Sequence, residues 1–98
     1  MSSDFEINEN GTLIKYNGKD TDIMVPDSVA QIGDTVFRKN TSLSSISLPV
    51  NLTNIGNNAF SGCKNLVSIS LPVSLKYIGS GAFSGCISLM RISLNLNT

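Results

Sequence analysis

The sequence contains no histidine, only two cysteines, and no run near the ~20 apolar residues that a membrane-spanning helix needs. Without histidine the usual general base is missing. The many serines are accounted for by strand faces and turns rather than by a nucleophile beside a base. A carboxylate pair such as Asp20 and Asp22 falls in a predicted turn. Two thiolates without an imidazole fall short of the four tetrahedral ligands of a structural zinc site. No catalytic residue, metal site or cofactor is therefore expected, and no insertion into a membrane.

Acidic residues are also missing from most of the chain. Asp4, Glu6, Glu9, Asp20, Asp22, Asp27 and Asp34 all precede residue 35, whereas Arg38, Lys39, Lys64, Lys76 and Arg91 follow it, and the formal net charge is zero. Such asymmetry favours head-to-tail contact or an acidic partner. The plainer reading, a difference in surface composition between the two parts, carries more weight. The basic residues form no dense patch, so nucleic-acid binding is not expected. With Asp4 and Glu6 where a basic and then an apolar stretch would stand, no signal peptide is read at the start.

What the chain does have is repetition. Ile55-Gly56-Asn57-Asn58-Ala59-Phe60-Ser61-Gly62-Cys63 returns as Ile78-Gly79-Ser80-Gly81-Ala82-Phe83-Ser84-Gly85-Cys86, 23 positions on. Single columns carry the period further: Ile32, Ile55 and Ile78; Phe37, Phe60 and Phe83; Leu43, Leu66 and Leu89; Ile46, Ile69 and Ile92; Leu48, Leu71 and Leu94. Ile23, Val25, Pro26 and Val29 are already in phase, which gives about three units and a fraction over residues 21-98. A period in the twenties means units that cannot bury their own apolar face and must stack. The recurring glycines serve turns and do not form a phosphate-cradling loop.

Within a unit, Leu66-x-x-Ile69-x-Leu71-Pro72 alternates apolar and polar residues, the mark of a strand with one buried face. Parallel strands are predicted near 22-25, 45-48, 68-71 and 91-94, the first three ending at Pro26, Pro49 and Pro72. A shorter extended piece is expected at Leu75-x-x-Ile78-Gly79. The segment from Ser80 to Cys86 is too glycine-rich for a regular helix and is read as a turn that carries Phe83 into the core. Residues 1-20 follow other rules: Asn10-Gly11 and Asn17-Gly18 signal two hairpin turns in succession, and the segment is read as an N-terminal β-hairpin cap over the first unit. Nothing comparable follows the fourth strand, which leaves Leu94 and Leu96 as candidates for a self-association end through which two copies pair.

Cys63 and Cys86 lie one period apart and should sit on adjacent turns at about the ~4.8 Å strand spacing. Inward-facing thiols acting as small core hydrophobes are favoured over a disulfide. The outward residues of the strands, Asp22, Met24, Ser45, Ser47, Ser68, Ser70, Arg91 and Ser93, form one side of the sheet and are the candidate partner-binding face. The row is nearly all serine and lacks the aromatic anchors of binding hot spots.

The unit Leu-x-x-Ile-x-Leu-Pro-x-x-Leu-x-x-Ile-Gly-x-x-Ala-Phe-x-x-Cys-x-x-Leu resembles the Treponema pallidum-type leucine-rich repeat of the BspA-like surface-protein family, over roughly four fifths of the chain. The leading hairpin with Gly11-Thr12-Leu13 and Tyr16 also resembles the N-terminal caps of that family. In the first unit Val36 stands for alanine, Asn40 for cysteine and Arg38-Lys39 for Ser-Gly. The resemblance implies an α/β-type repeat solenoid, mostly β, right-handed, with parallel strands and little regular helix. It also implies a non-catalytic protein-interaction or adhesion module at the cell surface or secreted, whose protein partner the sequence does not identify. Structural self-assembly through the uncovered end is the alternative.

Overall fold

The structure, a computed structural model, describes residues 4-95. It contains nine strands and, among the described residues, no helix: β1 Phe5–Ile7, β2 Thr12–Tyr16, β3 Asp22–Met24, β4 Gln31–Ile32, β5 Ser45–Ser47, β6 Asn54–Ile55, β7 Ser68–Pro72, β8 Tyr77–Ile78 and β9 Arg91–Asn95. They form two sheets, β1-β2-β4-β6-β8 and β3-β5-β7-β9, and from β2 onward the chain alternates between them on every half turn. The result is a solenoid of about four turns. Apart from the antiparallel β1-β2 pair, every pairing is parallel.

Register follows the sequence columns. Ile23, Ile46, Ile69 and Ile92 stand side by side, as do Ile32, Ile55 and Ile78. A one-residue slip would send each isoleucine outward, so the buried face pins the pairing. The strands lie where the alternation predicts, and β7 ends on Pro72. The glycine-rich segments are turns, closed by bonds such as Ser61 N–H to the Asn58 carbonyl at 3.2 Å. They are also laddered from turn to turn: the N–H groups of Asn58, Phe60 and Gly62 donate to the carbonyls of Ser80, Ala82 and Ser84 at 3.0, 2.8 and 2.7 Å. Segments without regular secondary structure thus satisfy their backbone groups through the neighbouring unit, which isolated units could not do.

The core is a column of aliphatic side chains alongside a column of rings. Phe5, Tyr16, Phe37, Phe60 and Phe83 follow one another with centroid separations of 5.2, 5.4, 5.1 and 5.3 Å, the last two pairs stacked parallel. Sequence periodicity finds only the three phenylalanines of the repeats. Phe5 and Tyr16 join them because β2 pairs parallel to β4, placing Leu13 beside Ile32 and the hairpin over the head of the core. The hairpin turn at Asn10-Gly11 forms, with Asn8 Oδ1 accepting from the N–H groups of Asn10 and Thr12.

The second expected hairpin turn, at Asn17-Gly18, does not form. Residues 17-20 carry the chain from β2 in one sheet to β3 in the other, so they cannot fold back. Gly18 is needed there for space: a Cβ at this position would collide with the Tyr16 phenol and the Asp4 carboxylate. A second correction concerns Phe83. It packs against the core but is only partly buried, because no turn lies above it among the described residues, whereas Phe37 and Phe60 are fully buried. The same holds down each column: Ile69 is 2% exposed and Ile92 61%, Ile55 0% and Ile78 45%.

Two mutations test this arrangement by chemical denaturation. Phe60→Ala should cost about 3-5 kcal/mol, since the ring is sandwiched between two others, and Phe83→Ala distinctly less. Lys39 has a left-handed backbone (φ 60°) at the position where later turns place Gly62 (φ 76°) and Gly85 (φ 77°). Relief of that strain in Lys39→Gly should raise stability by about 0.5-1 kcal/mol after the extra chain entropy of glycine.

Candidate functional site

The period-two pattern that buries isoleucine in the four-stranded sheet turns its flanking residues outward. Parallel pairing then aligns them across the strands: Asp22, Ser45, Ser68 and Arg91 in one row, Met24, Ser47, Ser70 and Ser93 in the next. All eight expected residues are thereby brought onto one face. They line a shallow depression of about 350 Å³ whose floor is formed by Ile23, Ile46 and Ile69.

The electrostatics of this face are simple. Asp22 lies at one end and Arg91 at the other, with neutral hydroxyls between. Three strand spacings separate them, roughly 14 Å. The Ser45 hydroxyl donates to Asp22 Oδ1, so the carboxylate already has one partner. No ion pair engages Arg91 among the described residues. Met24, 79% exposed, is the one large apolar side chain of the row. It also borders a second depression of about 210 Å³, with Ser47, Asp27, Pro49 and Val50 on its rim. Sequence reasoning did not include Asp27 and Val50. Their shared position one residue beyond Pro26 and Pro49 was the available signal.

At the end of the solenoid, Leu94 is exposed together with Ile92 in β9, the last strand of its sheet. Leu96, the other residue expected there, lies outside the described residues.

Cys63 and Cys86 are free thiols on adjacent turns. Each donates to the carbonyl of a phenylalanine one turn earlier, Cys63 to Phe37 at 3.0 Å and Cys86 to Phe60 at 3.1 Å. Burial, the larger effect, pushes the Cys63 thiol up to about 11, and burial likewise raises Cys86. Among the described residues no group of three or more histidine, cysteine or carboxylate side chains is placed to share a metal ion.

The family model described as BspA type leucine rich repeat region matches residues 11–98, in six copies. Among solved structures, a leucine rich cell surface protein from Faecalibacterium prausnitzii is 31% identical, with a TM-score of 0.78, over 92% of this chain and 29% of its own. The T. pallidum leucine rich repeat protein is 30% identical, with a TM-score of 0.83, over 90% of this chain and 45% of its own. A leucine-rich repeat protein from Bacteroides capillosus, at 19% identity and a TM-score of 0.62 over 93% and 92% of the two chains, shares the fold. The chain spans less than half the length of the first two. No curated protein sequence matches it significantly.

The raised thiols set a pH dependence. Below pH 9 both folded and unfolded thiols are protonated; above it the unfolded chain ionises first, which favours unfolding. Stability should therefore fall as pH rises from about 9 to about 11, and the fall should shrink in Cys63→Ala, as read by urea titrations across that range.

Proposed function

The chain belongs to the BspA-type leucine-rich repeat family, and from this we propose that it is a non-catalytic protein-binding module whose partner lies along the serine-lined strand face. Leucine-rich repeats of this kind are typically interaction modules without chemistry of their own. The observation that carries the reading is the registered outward row from Asp22 to Arg91, a continuous concave surface with opposite charges at its two ends.

The chemistry of that surface describes its partner. A basic group would face Asp22 and an acidic one Arg91, about 14 Å apart, which an extended segment spans in roughly four residues. Small polar groups between them would meet the serine hydroxyls, and an apolar side chain would lie on Met24. Likeness to a leucine rich cell surface protein supports a cell surface as the setting.

The test is selection of binders to the immobilised chain from a displayed peptide library, followed by measurement on a Ser47→Lys/Ser70→Lys variant. Binders that use the face should lose at least tenfold in affinity for the variant, weaken with salt, and carry an acidic residue that couples to Arg91→Glu. Binders that ignore all three changes, with circular dichroism unaltered, would move the partner site elsewhere.

A further inference from the structure

The side chain of an asparagine can be attacked by the backbone nitrogen of the next residue, and glycine, with no Cβ, hinders that attack least. The chain has two such pairs, Asn10-Gly11 and Asn17-Gly18. They are held differently. In the hairpin turn the Gly11 N–H donates to the Asn8 carbonyl at 3.0 Å, which engages the nitrogen that would attack. The Gly18 N–H has no acceptor among the described residues. Within the repeats the corresponding nitrogen is engaged after Asn51, Asn57 and Asn65, where Leu52, Asn58 and Leu66 donate to backbone carbonyls at 3.1, 3.0 and 3.2 Å. Asn17 Nδ2 itself donates to Glu6 Oε2 at 2.7 Å. Both side chains are exposed, so water competes for that bond and the carboxamide is free to turn towards Gly18.

We propose that Asn17-Gly18 is a site of spontaneous deamidation whose product carboxylate loosens β1 from the head of the solenoid. The Gly18 nitrogen gives up its proton to hydroxide and bonds to Asn17 Cγ. The Cγ–Nδ2 bond then breaks, and ammonia leaves with a proton taken from water, which closes a five-membered imide. Water opens the ring. Cleavage at Cγ gives aspartate, whereas cleavage at the backbone carbonyl carbon of residue 17 gives isoaspartate, in which the main chain runs through the former side chain. The sum is carboxamide plus water to carboxylate plus ammonium, with no change of oxidation state.

Either product carries a new negative charge at residue 17, in surroundings that are already acidic. The Glu6 carboxylate that now accepts from Asn17 would face another carboxylate, with the Asp4 carboxylate beside Gly18 adding to the repulsion. Lys15, opposite Glu6 in the strand register, forms no ion pair with it among the described residues. The strain falls on β1, a strand of three residues that carries Glu6 and is held to the head by Phe5 against Tyr16 at 5.2 Å and by the Asn17 N–H bond to the Asp4 carbonyl at 2.8 Å. Isoaspartate also adds a carbon to the main chain within residues 17-20. That connection is fitted closely around Tyr16: Asp20 N–H donates to the phenol oxygen at 3.3 Å, and Gly18 has no room for a Cβ.

The site lies away from the strand face, and its test needs no partner. After incubation of the folded chain at mildly alkaline pH, peptide mapping by mass spectrometry should find conversion at Asn17 about fivefold faster than at Asn10, where the Gly11 N–H must first leave its acceptor. In concentrated urea that bond is gone and the two rates should converge. Asn17→Asp, made directly, should speed hydrogen exchange of the β1 and β2 amides at least tenfold while those of β5 and β7 exchange as before. Added salt should reverse part of that change by screening the carboxylates. No conversion at Asn17, conversion at Asn10 as fast, a preference for Asn17 that persists in urea, or unchanged β1 exchange in Asn17→Asp would each overturn the proposal.

Discussion

Everything in this molecule depends on a fixed step between turns. Each turn must place its isoleucines, its ring and its glycine-rich backbone directly beside those of the turn before, because the isoleucine columns, the ring stack and the backbone ladder are all made between turns. The backbone ladder through Asn58, Phe60 and Gly62 and the parallel stack of Phe37, Phe60 and Phe83 impose the same 23-residue step. Neither could shift without breaking the other.

This constraint explains which parts of the architecture were legible in the sequence. Columns of identical residues encode contacts between turns directly, so the parallel strands, their register and the outward serine row could be read from spacing alone. The hairpin was less legible. Leu13 and Tyr16 occupy core columns but reach them at spacings of 19 and 21 residues from Ile32 and Phe37, outside the period. Asn17-Gly18 carries a strong turn signal, yet the glycine is there to clear the Tyr16 phenol. A dipeptide cannot distinguish a requirement for curvature from one for room. The uneven burial of Phe60 and Phe83 was hidden for another reason: neighbouring repeats have the same letters, and burial depends on what lies on either side of them.

The strand face shows the opposite balance. Its residues were easy to place and hard to interpret, since serine beside isoleucine satisfies a solvated strand as well as a contact surface. Structure adds concavity and the separation of Asp22 from Arg91. These are properties of several turns together, and no single repeat contains them.

The ladder of turn backbones also limits how such a chain can change. Inserting one residue between Asn58 and Gly62 would make that turn 24 residues long, so that it no longer matched the backbone of the turns on either side of it unless the extra residue bulged out. Duplicating a whole 23-residue unit would disturb nothing, because the new turn offers the same acceptors, ring and aliphatic column that its neighbours already fit. Length in this architecture is therefore free to vary in whole turns and nearly forbidden to vary in single residues.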